Sequence, residues 1–195
     1  MSLRQTLRRK LGRFARNENG TGAIELLLIV PMMTWVFLGT IVYFDAYRTR
    51  AIAQRASLTV ADMYSRETDY ITPAYLDGTR DLLGFLTNDD VSGKFRVTAF
   101  TWQESQDRYR RIWSRNRGGL QNYNNERLAI VADRFPILSD GEVAILVETE
   151  NSYTPPFDVG IGDTIVRTFT LTSPRFATKL CWNSTPDDGI STEIC

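Results

Sequence analysis

Histidine is absent from the 195 residues, and cysteine occurs only twice. Without an imidazole the chain cannot build a Ser-His-Asp or Cys-His nucleophile or a histidine-rich zinc site, since each needs a side chain that titrates near neutral pH. Two cysteines cannot supply a four-thiolate zinc or iron–sulfur site. Net charge is missing as well: 23 Lys+Arg balance 23 Asp+Glu. A generic nucleic-acid binder would carry a net basic field. No metal, cofactor or nucleic-acid partner is expected, and the sequence suggests no enzyme. With 43% hydrophobic residues, the length suits one domain of ordinary size with an appended segment.

The balance of charge is a sum of two unequal parts. Residues 1–20 hold Arg4, Arg8, Arg9, Lys10, Arg13 and Arg16 against Glu18 alone, six basic side chains to one acidic, so the leader carries +5 and the other 175 residues carry −5. Just beyond the junction, Leu26 to Phe44 (LLLIVPMMTWVFLGTIVYF) runs for 19 residues without a charge. At a helical rise of 1.5 Å per residue this covers roughly 28 Å, close to the hydrocarbon thickness of a bilayer. A buried core helix would show a polar stripe, whereas only Thr34 and Thr40 interrupt the run. The basic cluster precedes the span and the charges after it are mixed, which leaves the N-terminus cytoplasmic and exports the C-terminal part. Tyr43, Phe44 and Tyr47 stand where an interfacial aromatic belt belongs. Ala51-Ile52-Ala53 has the form of a signal-peptidase site, but the charged tract before it and the length of the apolar run disfavour that cut.

Glu25 lies at the mouth of the apolar run, where an unpaired carboxylate costs on the order of 2–3 kcal/mol. A basic leader, Gly20, four residues, Glu25 and then an apolar helix resembles the class III signal of type IV prepilins and pseudopilins. More narrowly, residues 13–62 are similar to the N-terminal segment of the TadE/TadF pseudopilins of the tight-adherence (Flp) pilus system, with Pro31 in the span and an Arg- and Ala-rich helix after it. The resemblance implies that a prepilin peptidase cuts after Gly20 and that Thr21 becomes the N-terminus, with Glu25 kept as a functional intramembrane carboxylate. It also implies other pilins, pseudopilins and the pilus assembly platform as partners, at a bacterial inner membrane crossed once. Two departures stand out: Leu26 follows the glutamate where an aromatic is usual, and Gly22 offers a second cut. The spacing has a physical sense. A free α-amine at Thr21 and the Glu25 carboxylate are about one helical turn apart, so they can pair within a chain or between subunits. Pro31 removes a backbone donor and is expected to bend the helix or let it unwind locally.

The predicted organisation is a leader over 1–20, a membrane and stalk helix over 21–66 spanning at about 26–44, and an exported domain over 67–195. Along the stalk, Ile52, Ala56, Val60 and Met63 recur at three- and four-residue steps. Thr72-Pro73 opens a helix over Ala74–Leu86 with Leu76, Leu83 and Leu86 on one side, ended by Asn88-Asp89-Asp90. Strands are expected over Lys94–Gln103, Tyr109–Ser114, Glu142–Ser152 and Thr164–Thr172, with Leu128–Phe135 a helix or turn between them. The fold class is α+β, a long N-terminal helix followed by a small antiparallel sheet.

Four groups of residues invite a chemical role. Glu148 and Glu150 alternate onto one strand face, where paired carboxylates can do acid–base work or hold a cation, although a solvated face is the plainer account. Gly160-Ile161-Gly162-Asp163 repeats the GxGD of intramembrane aspartic proteases, but in a polar turn. Arg108, Arg110, Arg111, Arg115 and Arg117 interleave with Tyr109 and Trp113, as in phosphate- and base-binding strands, or at a subunit contact. Cys181 and Cys195 pair as a disulfide in an oxidising compartment, or stay as two buried thiols. The expected function is a minor pseudopilin in Flp-type pilus assembly. The alternative is a signal-anchored periplasmic binding or hydrolytic domain, which would need a polar pocket with perturbed side chains; a deep cleft lined by Glu148 and Glu150 would favour it.

Overall fold

The computed structural model describes residues 3–15, 20–88, 93–185 and 193–195. Arg16 and Glu18 of the leader, and Asp89 and Asp90 after the second predicted helix, lie outside the described residues. The chain divides into two compact units: residues 1–44 with 156–161, and residues 45–155 with 162–195.

In the first unit, α1 (Leu3–Ala15) is followed by the opening part of α2 (Thr21–Arg66). The 46-residue α2 runs as unbroken α-helix through Pro31, although Pro31 has no N–H to give the Leu27 carbonyl. Thr34 and Thr40 turn their hydroxyls back onto the helix, donating at 2.8 Å to the Val30 and Val36 carbonyls, so neither leaves a free donor on the surface.

The second unit is a four-stranded antiparallel sheet with two helices packed on one face and one short helix on the other. Strands β1 (Lys94–Gln103), β2 (Arg108–Arg117), β3 (Val143–Tyr153) and β4 (Thr164–Thr172) are ordered β2-β1-β3-β4. The remainder of α2 and α3 (Pro73–Thr87) supply the helical layer. Thr72 caps α3, its hydroxyl accepting from the Tyr75 N–H at 3.2 Å, and Pro73 takes the first turn, where its missing donor costs nothing. Asn88 closes the helix in the left-handed region at φ 54°.

The core between helices and sheet follows from residue size. Ala53, Ala56 and Ala61 bring α2 close to the sheet, while Val60 and Tyr64 fill the space beside them. From the strands, Phe95, Val97 and Ala99 meet them with Ile145 and Val147, an alternation of period two. Two buried hydroxyl pairs fix α2 in place: Ser57 Oγ to Thr170 Oγ1 of β4 at 2.8 Å, and Tyr64 Oη to Thr79 Oγ1 of α3 at 3.1 Å. Burial is the main reason the Tyr64 phenol is held far above its ordinary pKa.

Strand β2 does not keep one alternation. Ala99 faces Trp113 but Phe100 faces Arg111, so Ile112 is an extra residue on β2, a β-bulge. The bulge sends Trp113 into the helical side, where its indole N–H donates to the Leu180 carbonyl at 2.6 Å. Tyr109, before the bulge, joins the opposite face instead. There a second core gathers Phe100, Tyr123, Leu128 and Leu146 under α4 (Asn125–Ile130), with Phe100 and Phe135 stacked at 4.5 Å. The C-terminal segment returns to the helical side: Ile71 N–H donates to the Cys181 carbonyl and Asn183 N–H to the Ile71 carbonyl, each at 2.9 Å. Cys181 and Cys195 are joined by a disulfide.

Candidate functional site

The residues singled out near the N-terminus fall on one boundary. Gly20 directly precedes Thr21, the first residue of α2, so the Gly20–Thr21 bond lies at the N-terminal edge of that helix. Gly20 and Gly22 are exposed, and a Cβ at either would meet nothing within 4 Å. Glu25 is exposed, four residues into the helix, which places its Cα about 6 Å along the axis from that of Thr21. Pro31 is exposed six residues further on.

The surface that follows is apolar on every side. Leu26, Leu27, Leu28 and Ile29 are each about half to three-quarters exposed, and so are Met32, Met33, Trp35, Val36 and Phe37. Four consecutive residues cover a full helical turn, so no face of this segment is covered by the protein itself. An exposed apolar surface of this extent has no stable place in water. One helix among the described residues, Gly22–Arg66, is long and apolar enough to cross a membrane. Its span is that of an anchor or a signal.

The two strand carboxylates are held apart by separate arginines. Arg96 on β1 lies opposite Glu148 on β3, and its Nε and Nη2 donate to Glu148 Oε2 at 2.8 and 2.6 Å. The other oxygen, Oε1, accepts from the Tyr123 hydroxyl at 3.0 Å. The Arg96 guanidinium also covers the Tyr123 ring at 3.7 Å and donates through Nη1 to the Gln121 carbonyl. Burial, reinforced by the Glu148 charge, pushes the Tyr123 phenol up to about 12. Glu150 instead accepts from Arg167 Nε at 2.8 Å. Both carboxylates therefore have a fixed cation, and neither is placed as a free general base or cation ligand. Among the described residues no three His, Cys, Asp or Glu side chains gather as a metal-binding group.

The arginines of β2 have different partners. Arg117 donates through Nη2 to the Pro73 carbonyl at 3.0 Å and pairs with Asp77, whose carboxyl it holds below the usual range. The Arg115 guanidinium lies 4.7 Å from the Trp182 ring. The Arg111 backbone N–H is taken by Asn125 Oδ1 at 2.9 Å, which closes that stretch of the sheet edge. Gly160 to Asp163 lie in the loop between β3 and β4, with Gly160 at φ 89°. The Arg96–Glu148–Tyr123 cluster was not foreseen from sequence: it needs the β1–β3 register, and only the opposite signs on two predicted strands hint at it. Compared with known protein families, curated proteins and solved structures, the chain matches none.

Proposed function

We propose that the protein is a minor pseudopilin of the TadE/TadF kind, acting without catalysis in assembly of a tight-adherence pilus. A prepilin peptidase removes the leader after Gly20, α2 stays in a bacterial inner membrane, and the sheet domain faces the periplasm. The observation that supports this best is the coincidence at one boundary: Gly20, the start of α2 at Thr21, Glu25 one turn in, and an apolar surface exposed all round from Leu26. Removal of the leader frees an α-amine that can neutralise Glu25 at the membrane, which an uncut chain lacks. The disulfide fits an oxidising compartment. Other pilins and the assembly platform are the partners that the exposed helix suits.

The test is N-terminal sequencing of protein extracted from membranes of cells with and without the prepilin peptidase. Thr21 as the first residue in the former, and an intact leader in the latter, is the expected result. A chain beginning at Gln54, or an unchanged Met1 in both, would sink the processing claim. A start at Ala23 would move the cut to Gly22.

A further inference from the structure

The leader is more than a string of charges. Helix α1 carries Leu3, Leu7, Leu11 and Phe14 at steps of four, four and three, positions that fall within an arc of about 80° on a helix of 3.6 residues per turn. Arg4, Arg8, Arg9, Lys10 and Arg13 occupy the remaining arc, and the 13 residues contain no acidic side chain. Leu11 is 60% and Phe14 82% exposed. A narrow leucine and phenylalanine stripe bounded by basic residues is the pattern of a helix that lies in a membrane interface, apolar face among the acyl chains and cations at the headgroups.

Two observations select the occupant of that stripe. The first is charge complementarity: five cations and no anion suit an anionic lipid surface, which holds each basic residue near it. The second is the tether. Only residues 16–20 separate Ala15 from Thr21, a reach of at most about 20 Å even when fully extended. A helix tied so closely to a membrane span meets the headgroup layer at an effective concentration on the order of millimolar, so a weak affinity suffices. An acidic groove on another protein would offer the charge but not the proximity.

We infer that α1 lies flat on the anionic cytoplasmic face of the bilayer, as an interfacial helix that holds the Gly20–Thr21 bond at headgroup level. This rests on α2 as a membrane span and not on where the chain is cut. The test uses the uncut full-length chain in lipid nanodiscs of phosphatidylcholine, with or without phosphatidylglycerol, and follows amide hydrogen exchange of residues 3–15. Exchange at least about tenfold slower in the anionic discs is expected. It should be lost in the Leu11→Asp/Phe14→Ser double variant, which keeps every basic residue. Equal exchange in the two lipids, or full protection in the double variant, would overturn the inference. A chain that fails to co-purify with the discs overturns both the span and the interfacial helix. N-terminal sequencing is independent of all three outcomes, so failure of the processing claim is recognised separately.

Discussion

Arg96 and Glu148 carry unit charges with side chains only 13% and 14% exposed. Removing one partner from such a pair leaves the other desolvated, which is more damaging than the pair itself is stabilising. Arg96→Ala should therefore lower unfolding free energy by about 2 kcal/mol, reduced from the fully buried case because some water reaches the site. Arg96→Met with Glu148→Met should recover part of that loss. Urea unfolding followed by tryptophan fluorescence checks both, and equal losses for the single and double variants would contradict the account. Tyr123 adds a pH dependence. Its folded pKa is pushed up to about 12, above an unfolded value near 10, so its contribution is complete below pH 10 and declines as pH rises toward 12. The unfolding midpoint should fall over that window, and fall less in Tyr123→Phe; absorbance of ionised tyrosine reads the titration directly. Which side chains would meet was only partly legible at this scale. Alternation places Phe95, Val97 and Ala99 on one face without further knowledge. The partner of Arg96 depends on a register that separates the two residues by 52 positions, and nothing local to either strand specifies it.

Helices and strands were legible where a local signal marks their ends. Thr72-Pro73 and Asn88 bound α3 because a cap, a proline and a left-handed residue each act within one turn. The bulge at Ile112 was not, because the extra residue is defined only against β1. The stalk pattern of Ile52, Ala56, Val60 and Met63 also missed Tyr64 and Ser57: a buried tyrosine and serine read as polar until Thr79 and Thr170 are found beside them. The disulfide acts at the same scale. It closes a 14-residue separation and clamps Trp182, which bridges Ile71 on one side and Ile194 on the other. In the chain-entropy account a loop of this size contributes about 3 kcal/mol. Cys181→Ser with Cys195→Ser should lower stability by about that amount, and reduction of the parent protein should do the same. Denaturant unfolding with and without reductant measures both; a loss below about 0.5 kcal/mol would show that the segment is held by Ile71 and Trp113 alone.

At the scale of the whole molecule, zero net charge conceals a +5 leader and a −5 remainder. On the proposed topology the leader stays cytoplasmic because flanking cations resist translocation, while the acidic part crosses. The two cysteines lie on the acidic side, so on that topology the redox state of the pair reports which side of the membrane the domain occupies. Replacing Arg8, Arg9, Lys10 and Arg13 by Glu reverses the charge difference across α2 without touching the span or the domain. A substantial fraction of such chains should keep the sheet domain in the cytoplasm, with Cys181 and Cys195 reduced. Thiol alkylation and a gel-mobility shift distinguish the two forms, and the parent protein should be oxidised almost throughout. A charge-reversed chain as fully oxidised as the parent would mean that the leader does not set orientation, and the length of the apolar run would have to do so by itself.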